Sequence, residues 1–329
     1  MVRIKDIAKA ANVSPATVSR CLNKDPSLSI STETGKRIYE IALSMGYAKV
    51  KALDKSEEFL VIHKEDHFHD HVDNGYYFSI RSGIEEVIAK NGDICRFVSI
   101  SKLEAEDKAY SGVIVIGNYR PSDIEHIKKL VCNDNIVFVG KLNFYPECFD
   151  TVTYNVNLCV HLALNAIREK GYTQLLFLDG TDHYQIPRDF LKITHVRNYL
   201  ELHQDLTLKE YLECDGFGFD AGYRTMKEYL DRTKDPIPQA IFAATDPIGI
   251  GVIKALSEAH IAVGKDVHII SMNGSNACTL ITPTLTSVDY HSREMGKEAA
   301  LLVKENVRKQ ERVPKCVSFA PRIIEGGSL

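Results

Sequence analysis

Apolar positions recur at two different periods along the chain, and the change of period divides it. Near the N-terminus Ile4, Ile7, Ala8 and Ala11 fall on one side of a helix. Asn12 then interrupts, a residue that tolerates the left-handed conformation of a tight turn. Ser14-Pro15 follows: an N-cap hydroxyl, then a proline whose missing N–H costs nothing at the first helical position. On this second helix Val18 and Leu22 point inward, one turn apart. Ala16, Ser19, Arg20 and Asn23 are left on the outer face. A third helix is expected to start near Ser31, with Glu33 favourable in its first turn. It should bury Ile38, Ile41, Ala42 and Met45 and stop at Gly46.

From residue 57 onward, short unbroken apolar runs alternate with helical stretches. Strands are predicted at Phe59–Ile62, Ile94–Val98, Val113–Ile116, Ile136–Val139, Leu175–Leu178, Ala240–Ala243 and Val267–Ser271. Helices are predicted at Ile80–Lys90, Leu158–Lys170, Ala221–Leu230, Ile248–Ala259 and Arg293–Val307. Strands covered on both faces read as continuous apolar runs, so the pattern is that of a doubly wound α/β fold occurring twice, the first set ending near Asn157. In such sheets ligands bind at the carboxyl ends of the strands. Between two lobes, that place is the facing cleft.

Composition, 44% hydrophobic and 26% charged, is that of an ordinary globular protein. No run of about 18 apolar residues exists, so no membrane span is expected. The opening MVRIKDIAKAANVS lacks the apolar core of a signal peptide, which predicts a cytoplasmic location. The eight cysteines stand singly, without a C-x-x-C pair, and are expected to be reduced thiols. Charge is more informative. Residues 1–51 carry nine basic and four acidic groups, whereas the whole chain is −4, so a basic module precedes an acidic body. That asymmetry points either to a polyanion bound by the first segment alone or to a solvated basic helix pair.

Two helices joined by a turn of about three residues, the second presenting small polar groups and one arginine, follow helix-turn-helix logic. Small side chains let a helix sit deep in the major groove, where arginine reaches guanine O6 and N7 with two donors. A three-helix protein-binding module has the same apolar pattern and stays open at this point. The stretch from Ile4-Lys5-Asp6-Ile7-Ala8 through Val13-Ser14-Pro15-Ala16-Thr17-Val18-Ser19-Arg20-Cys21-Leu22-Asn23 resembles the headpiece of the LacI/GalR repressor family. By that resemblance Pro15 and Ala16 choose the operator sequence and Arg20 reads a guanine. Thr17, Ser19, Asn23 and Ser31 hold phosphates, with Ser14 at the same surface and Lys5 a non-specific contact. Asp25-Pro26-Ser27-Leu28 looks like the longer loop of galactoside-type members. Arg3 replaces the threonine cap usual in the family and is read as a phosphate contact. The linker, Tyr47 to Lys55, is short and lacks the family's asparagine and glycine, leaving Leu53 as the residue to wedge into the minor groove.

The resemblance implies a small all-α headpiece over residues 1–47, a hinge over 48–56 and a periplasmic-binding-protein-like core of two doubly wound lobes over 57–329. The first lobe is expected at about 57–157 plus 291–317 and the second at about 158–290 plus 318–329. The segments that carry it are Ala244-Thr245-Asp246-Pro247, with Asp246 expected to cap a helix, Ile269-Ile270-Ser271-Met272-Asn273-Gly274, and Pro283-Thr284-Leu285-Thr286-Ser287-Val288. Asn273 stands where members of the family bond sugar hydroxyls, and Thr245 where they contact ligand. The family's anchoring arginine falls on Lys192, with Arg188 one turn earlier. Tyr76 and Tyr77 are read either as a stacking platform for a sugar or as core packing. The segment His63-Lys64-Glu65-Asp66-His67-Phe68-His69-Asp70-His71 admits a metal site, a sugar-bonding loop or a solvated loop, and no metal is assigned to it.

These observations together predict a DNA-binding repressor with a galactose-like or galactoside effector. It would act as a homodimer on a pseudo-palindromic operator, without cofactor or membrane partner. A solute-binding protein and a sugar-acting enzyme are the alternatives. No glycine-rich phosphate loop, catalytic triad or carboxylate pair favours the enzyme.

Overall fold

Each helix of the N-terminal unit has a chemical start and a chemical stop. In the computed structural model, which describes residues 2–23, 25, 28–47, 56–64, 75–90, 92–104, 110–131, 134–140, 145–181, 191–307, 309 and 311–329, α1 spans Ile4–Ala11 and ends in Asn12 at φ 51°. The α2 helix spans Pro15–Leu22, and the Ser14 hydroxyl accepts the Thr17 N–H at 3.0 Å. The α3 helix spans Thr32–Ser44, and Ser31 accepts the Thr34 N–H at 3.1 Å. Ile7, Ala8, Ala11, Val18, Leu22, Ile38 and Ala42 close the core between them. Met45, expected inside, is 36% exposed, because α3 stops at Ser44 and Met45 is already its C-cap. Ile41 is half-buried at the rim.

Residues 1–57 and 58–329 form separate units. The second opens with β1 (Glu58–His63), α4 (Gly75–Ala89), β2 (Ile94–Ser99), β3 (Gly112–Ile116), α5 (Pro121–Val131), β4 (Ile136–Val139) and β5 (Asp150–Tyr154). It continues with α6 (Val156–Glu169), β6 (Gln174–Gly180), α7 (Lys192–Leu202), β7 (Thr207–Cys214), α8 (Phe219–Arg232), β8 (Ala240–Ala243), α9 (Asp246–Glu258) and β9 (His268–Met272). It closes with β10 (Thr286–Asp289), α10 (Ser292–Val307), β11 (Cys316–Phe319) and β12 (Arg322–Ile324). One sheet has the order β11-β5-β4-β3-β1-β2, the other β12-β10-β9-β8-β6-β7. All neighbours are parallel except β12, which runs antiparallel to β10.

Both faces of each sheet are covered, which is why the strands read as unbroken apolar runs. Phe59 and Val61 of β1 enter one core and Leu60 and Ile62 another, and Leu175/Phe177 and Leu176/Leu178 of β6 divide in the same way. The chain passes repeatedly between the lobes. The α6 helix, which follows β5 of the first sheet, packs on β9, β10 and β12 of the second. The α10 helix, which follows β10, packs on α4, β3, β4 and β5 of the first. Glycines let α4 and α10 touch: a Cβ on Gly296 would lie 2.0 Å from the Ile80 carbonyl oxygen, and one on Gly83 2.1 Å from that of Arg293.

The start of α9 differs from expectation. Asp246 is not its cap; the Thr245 hydroxyl accepts the Ile248 N–H at 3.4 Å and is the N-cap. Asp246 is the first helical residue and fully buried. Its Oδ1 accepts the Ser271 and Ser287 hydroxyls, both at 2.6 Å, and its Oδ2 accepts the Ser275 N–H at 2.7 Å. Burial raises its pKa, and these donors pull it partly back. Asp246→Ala should therefore cost about 3 kcal/mol in urea unfolding, since two buried hydroxyls and the half-buried Ser275 N–H lose their acceptor. Asp246→Asn keeps the shape and an acceptor for Ser275, so it should cost about 1 kcal/mol. Because the folded pKa is raised, the stability contributed by Asp246 is complete below its unfolded value of about 4 and declines as pH rises through the folded one. The gap between wild type and Asp246→Asn should accordingly narrow from acid to neutral pH.

Candidate nucleic-acid interface and effector cleft

On the N-terminal unit, Pro15, Ala16, Arg20 and Asn23 are exposed along α2, with Thr17 and Ser19 half-buried beside them. The Ser14 and Thr17 hydroxyls share a 2.8 Å hydrogen bond, as do those of Ser31 and Thr34. Asn23 Nδ2 donates to the Ser19 hydroxyl at 3.5 Å. The cap hydroxyls are thus held at the starts of α2 and α3, where backbone N–H groups favour an anion such as phosphate. Arg3 precedes α1, and its backbone N–H donates to Asp6 Oδ2 at 2.8 Å; it and Lys5 are exposed. Leu53 lies outside the described residues.

Arg20 has a partner that the sequence did not announce. Its Nε donates to Asp25 Oδ2 at 2.8 Å, and the Asp25 N–H returns to the Arg20 carbonyl at 3.0 Å. The two are five positions apart, a spacing that no helix face brings together. They meet because α2 ends at Leu22 and the chain turns back. An exposed pair of this kind contributes little stability. Its effect is orientation: with Nε held by Asp25, the plane of the guanidinium is restricted.

In the core, strand order reverses between β1 and β3 in one sheet and between β6 and β8 in the other, and the crevices at these points open at the carboxyl ends. Tyr76 and Tyr77 begin α4, their rings 5.0 Å apart. Tyr154 ends β5 and Tyr290 follows β10; these two rings stack at 4.0 Å and 7°. Tyr76 meets Tyr290 edge-on at 5.5 Å. Asn273, one residue past β9, accepts the Tyr290 phenol on Oδ1. Burial raises the Tyr76, Tyr154 and Tyr290 pKa values well above the ordinary tyrosine range, helped by neighbouring phenols at Tyr76 and Tyr290 and by the Cys159 thiol at Tyr154, where a hydrogen bond with Tyr290 pulls it partly back; these groups stay neutral.

Lys192, at the start of α7, is buried; its Nζ donates to Asp179 Oδ1 at 3.4 Å and lies 5.6 Å from the centre of the Phe217 ring. Asp179, in β6, also accepts the Gly180 N–H at 3.0 Å. The Thr245 hydroxyl, read as a ligand donor, donates instead to the Phe217 carbonyl at 2.9 Å while capping α9. The structure therefore joins Tyr76, Tyr77 and Asn273 in one cluster, Lys192 in another and Thr245 to the scaffold beside Phe217. Arg188 lies outside the described residues, as does the histidine-rich segment beyond Lys64; His63 Nδ1 lies 2.7 Å from the Lys64 carbonyl oxygen. Tyr154, Tyr290, Asp179 and Phe217 were missed. Tyr290 stands just past the Pro283–Val288 signature, which was the available signal; the others depend on which strand ends meet.

Arg20→Ala should relax base preference at one operator position and cost about 1–3 kcal/mol, whereas Lys5→Ala should weaken all DNA alike and flatten the salt slope. Gel shifts on selected and random duplexes at several salt concentrations distinguish these. Equal loss on both duplexes for Arg20→Ala would remove it from base reading.

Residues 3–49 match the bacterial regulatory proteins of the lacI family, and residues 164–329 match a periplasmic binding protein-like domain. The chain is 30% identical over 340 residues to the HTH-type transcriptional regulator GanR of Bacillus subtilis (strain 168), covering 100% of both. In fold it is similar to the transcriptional regulator CelR–cellobiose complex, with TM-score 0.69, 19% identity and full coverage of both chains. It is also similar to the lac repressor dimer bound to operator and the anti-inducer ONPF, with TM-score 0.67 and 16% identity over 99% and 98% of the two chains. The chain, headpiece and core alike, belongs to the LacI family of bacterial regulatory proteins.

Proposed function

We propose that this regulator represses transcription as a homodimer on a pseudo-palindromic operator, and that a neutral sugar of galactoside type, held between the two lobes, sets its operator affinity. It is a DNA-binding transcriptional regulator and not an enzyme. The reading divides it into a headpiece over 1–47, a linker over 48–56 and an effector core over 57–329, and takes it to act in the cytoplasm. Dimerisation is supported by the operator complex of the lac repressor dimer and by the logic of two recognition helices on two half-sites.

The observation that carries the effector reading is the chemistry at the strand ends. Tyrosine rings suit the C–H face of a sugar, and an amide bonds its hydroxyls. Lys192 and Asp179 pair with each other, so the buried lysine offers a phosphorylated sugar no uncompensated charge. The cellobiose complex of a fold relative agrees with a sugar of this kind. The galactoside preference rests on the Asp25–Leu28 loop and the overall likeness to galactoside-type repressors.

Thermal shift against galactosides, glucosides, pentoses and sugar phosphates should single out a neutral galactoside, and the same sugar should change a gel shift at moderate salt. Asn273→Ala should abolish that response while leaving DNA binding intact, losing about 1–3 kcal/mol of sugar affinity in calorimetry. Unchanged sugar affinity in a folded Asn273→Ala protein would take the residue out of the site. A shift by sugar phosphates alone would overturn the neutral-sugar reading.

A further inference from the structure

Asn273 is held on three sides. Its φ is 129°, its backbone N–H donates to the Val288 carbonyl at 3.0 Å, and its Oδ1 accepts the Tyr290 phenol. Asparagine at positive φ is a strained arrangement kept by its surroundings. The residue is 8% exposed, and among the described residues no acceptor meets its Nδ2. Nδ2 is not one of the buried polar atoms that lack a partner, so the NH2 is open to the cleft, and an amide with its carbonyl bonded and its NH2 open is half of a hydrogen-bonding site.

Tyr290 is not a group that a ligand can easily push aside. It is 4% exposed, stacked on Tyr154 and met edge-on by Tyr76. Moving it would open an aromatic cluster that reaches both sheets, since Tyr154 ends a strand of the first and Tyr290 follows a strand of the second. A mobile asparagine presents a donor or an acceptor as the ligand requires, by turning its amide over. An asparagine whose oxygen is bonded to a fixed phenol cannot turn without breaking that bond. Burial keeps the phenol protonated, and so a donor, throughout the working pH range.

We propose that Tyr290 is a specificity-determining residue: by bonding the Asn273 carbonyl it fixes the amide so that Asn273 meets the effector as a donor only, and the sugar atom set against it must be an acceptor. The inference rests on the reading of the cleft as a sugar site, and Tyr290 acts through Asn273 rather than on the sugar. At that one position the cleft tolerates loss of the sugar's O–H proton and rejects loss of its oxygen.

The test uses the full-length protein, labelled with 15N at asparagine, and the Tyr290→Phe variant, which removes the hydroxyl and keeps the ring. The Asn273 side-chain NH2 pair is identified by its disappearance in Asn273→Ala. In the sugar-free protein, Tyr290→Phe should move this pair in the spectrum, because the carbonyl of the same amide loses its hydrogen bond. Calorimetry with methyl β-galactoside and its monodeoxy and monofluoro analogues reads the polarity. At one ring position the fluoro analogue should bind wild type within about threefold of the parent while the deoxy analogue loses about tenfold, and Tyr290→Phe should erase the difference. An amide pair unmoved by Tyr290→Phe, or fluoro analogues as weak as the deoxy ones at every position, overturns the proposal. Absence of any heat with methyl β-galactoside sinks the galactoside reading instead, and the amide spectra still decide the part played by Tyr290. If Tyr290→Phe does not fold, Asn273→Asp decides: it keeps an acceptor for the phenol and presents an acceptor to the sugar, so it should reject the fluoro analogue that wild type accepts. Equal binding of that analogue to both proteins overturns the proposal.

Discussion

A single buried carboxylate sets the geometry of the second lobe's cleft edge. Asp246 sits at the start of α9 and takes hydroxyl protons from Ser271 in β9 and Ser287 in β10, with the Ser275 N–H from the loop between them. Burying a carboxylate is costly unless its oxygens are bonded, and here three donors and a helix N-terminus meet it. The constraint fixes the ends of two neighbouring strands. From those ends project Asn273 and, a few residues on, Tyr290, so the buried acid determines where the amide and the phenol stand.

The second constraint is the path of the chain. Because α6 and α10 each leave one sheet and pack on elements of the other, strand ends from both lobes face one cleft. The Tyr154–Tyr290 stack is the direct result. The close approach of α10 to α4, made by Gly83 and Gly296 against opposing carbonyls, joins these two helices on the first lobe, and α4 carries Tyr76, which meets Tyr290 edge-on. In the N-terminal unit the equivalent organising element is the pair of serine caps, which start α2 and α3 and at the same time place hydroxyls where a phosphate would be favoured.

How much of this could be read in advance depended on what each segment buries. Ile136–Val139 and Ala240–Ala243 were legible residue for residue, because a strand covered on both faces must be apolar throughout. Thr207–Cys214 was not, since it is an edge strand with alternating exposure. Thr286–Asp289 is fully buried yet polar; its Thr286 N–H is satisfied by Ser328 and its Ser287 hydroxyl by Asp246, partners far away in the chain. Asp246 itself was misread as a cap because the local pattern of an acid before proline at a helix start fits that role as well.

The sequence by itself determined the three headpiece helices, their caps and the Asn12 turn, the two-sheet α/β body and the family, because each depends on interactions within a few residues or on a continuous run of apolar side chains. It also placed Asn273 at a strand end. Tertiary structure alone decided what Asn273 can offer. Its partner is seventeen positions away, reached only because β9 and β10 lie side by side. The same holds for Arg20 with Asp25, and for Lys192 with Asp179, whose meeting cancels the charge that either residue would suggest alone. Polarity and charge at a site belong to pairs, and pairs distant in sequence are formed only when the chain has folded.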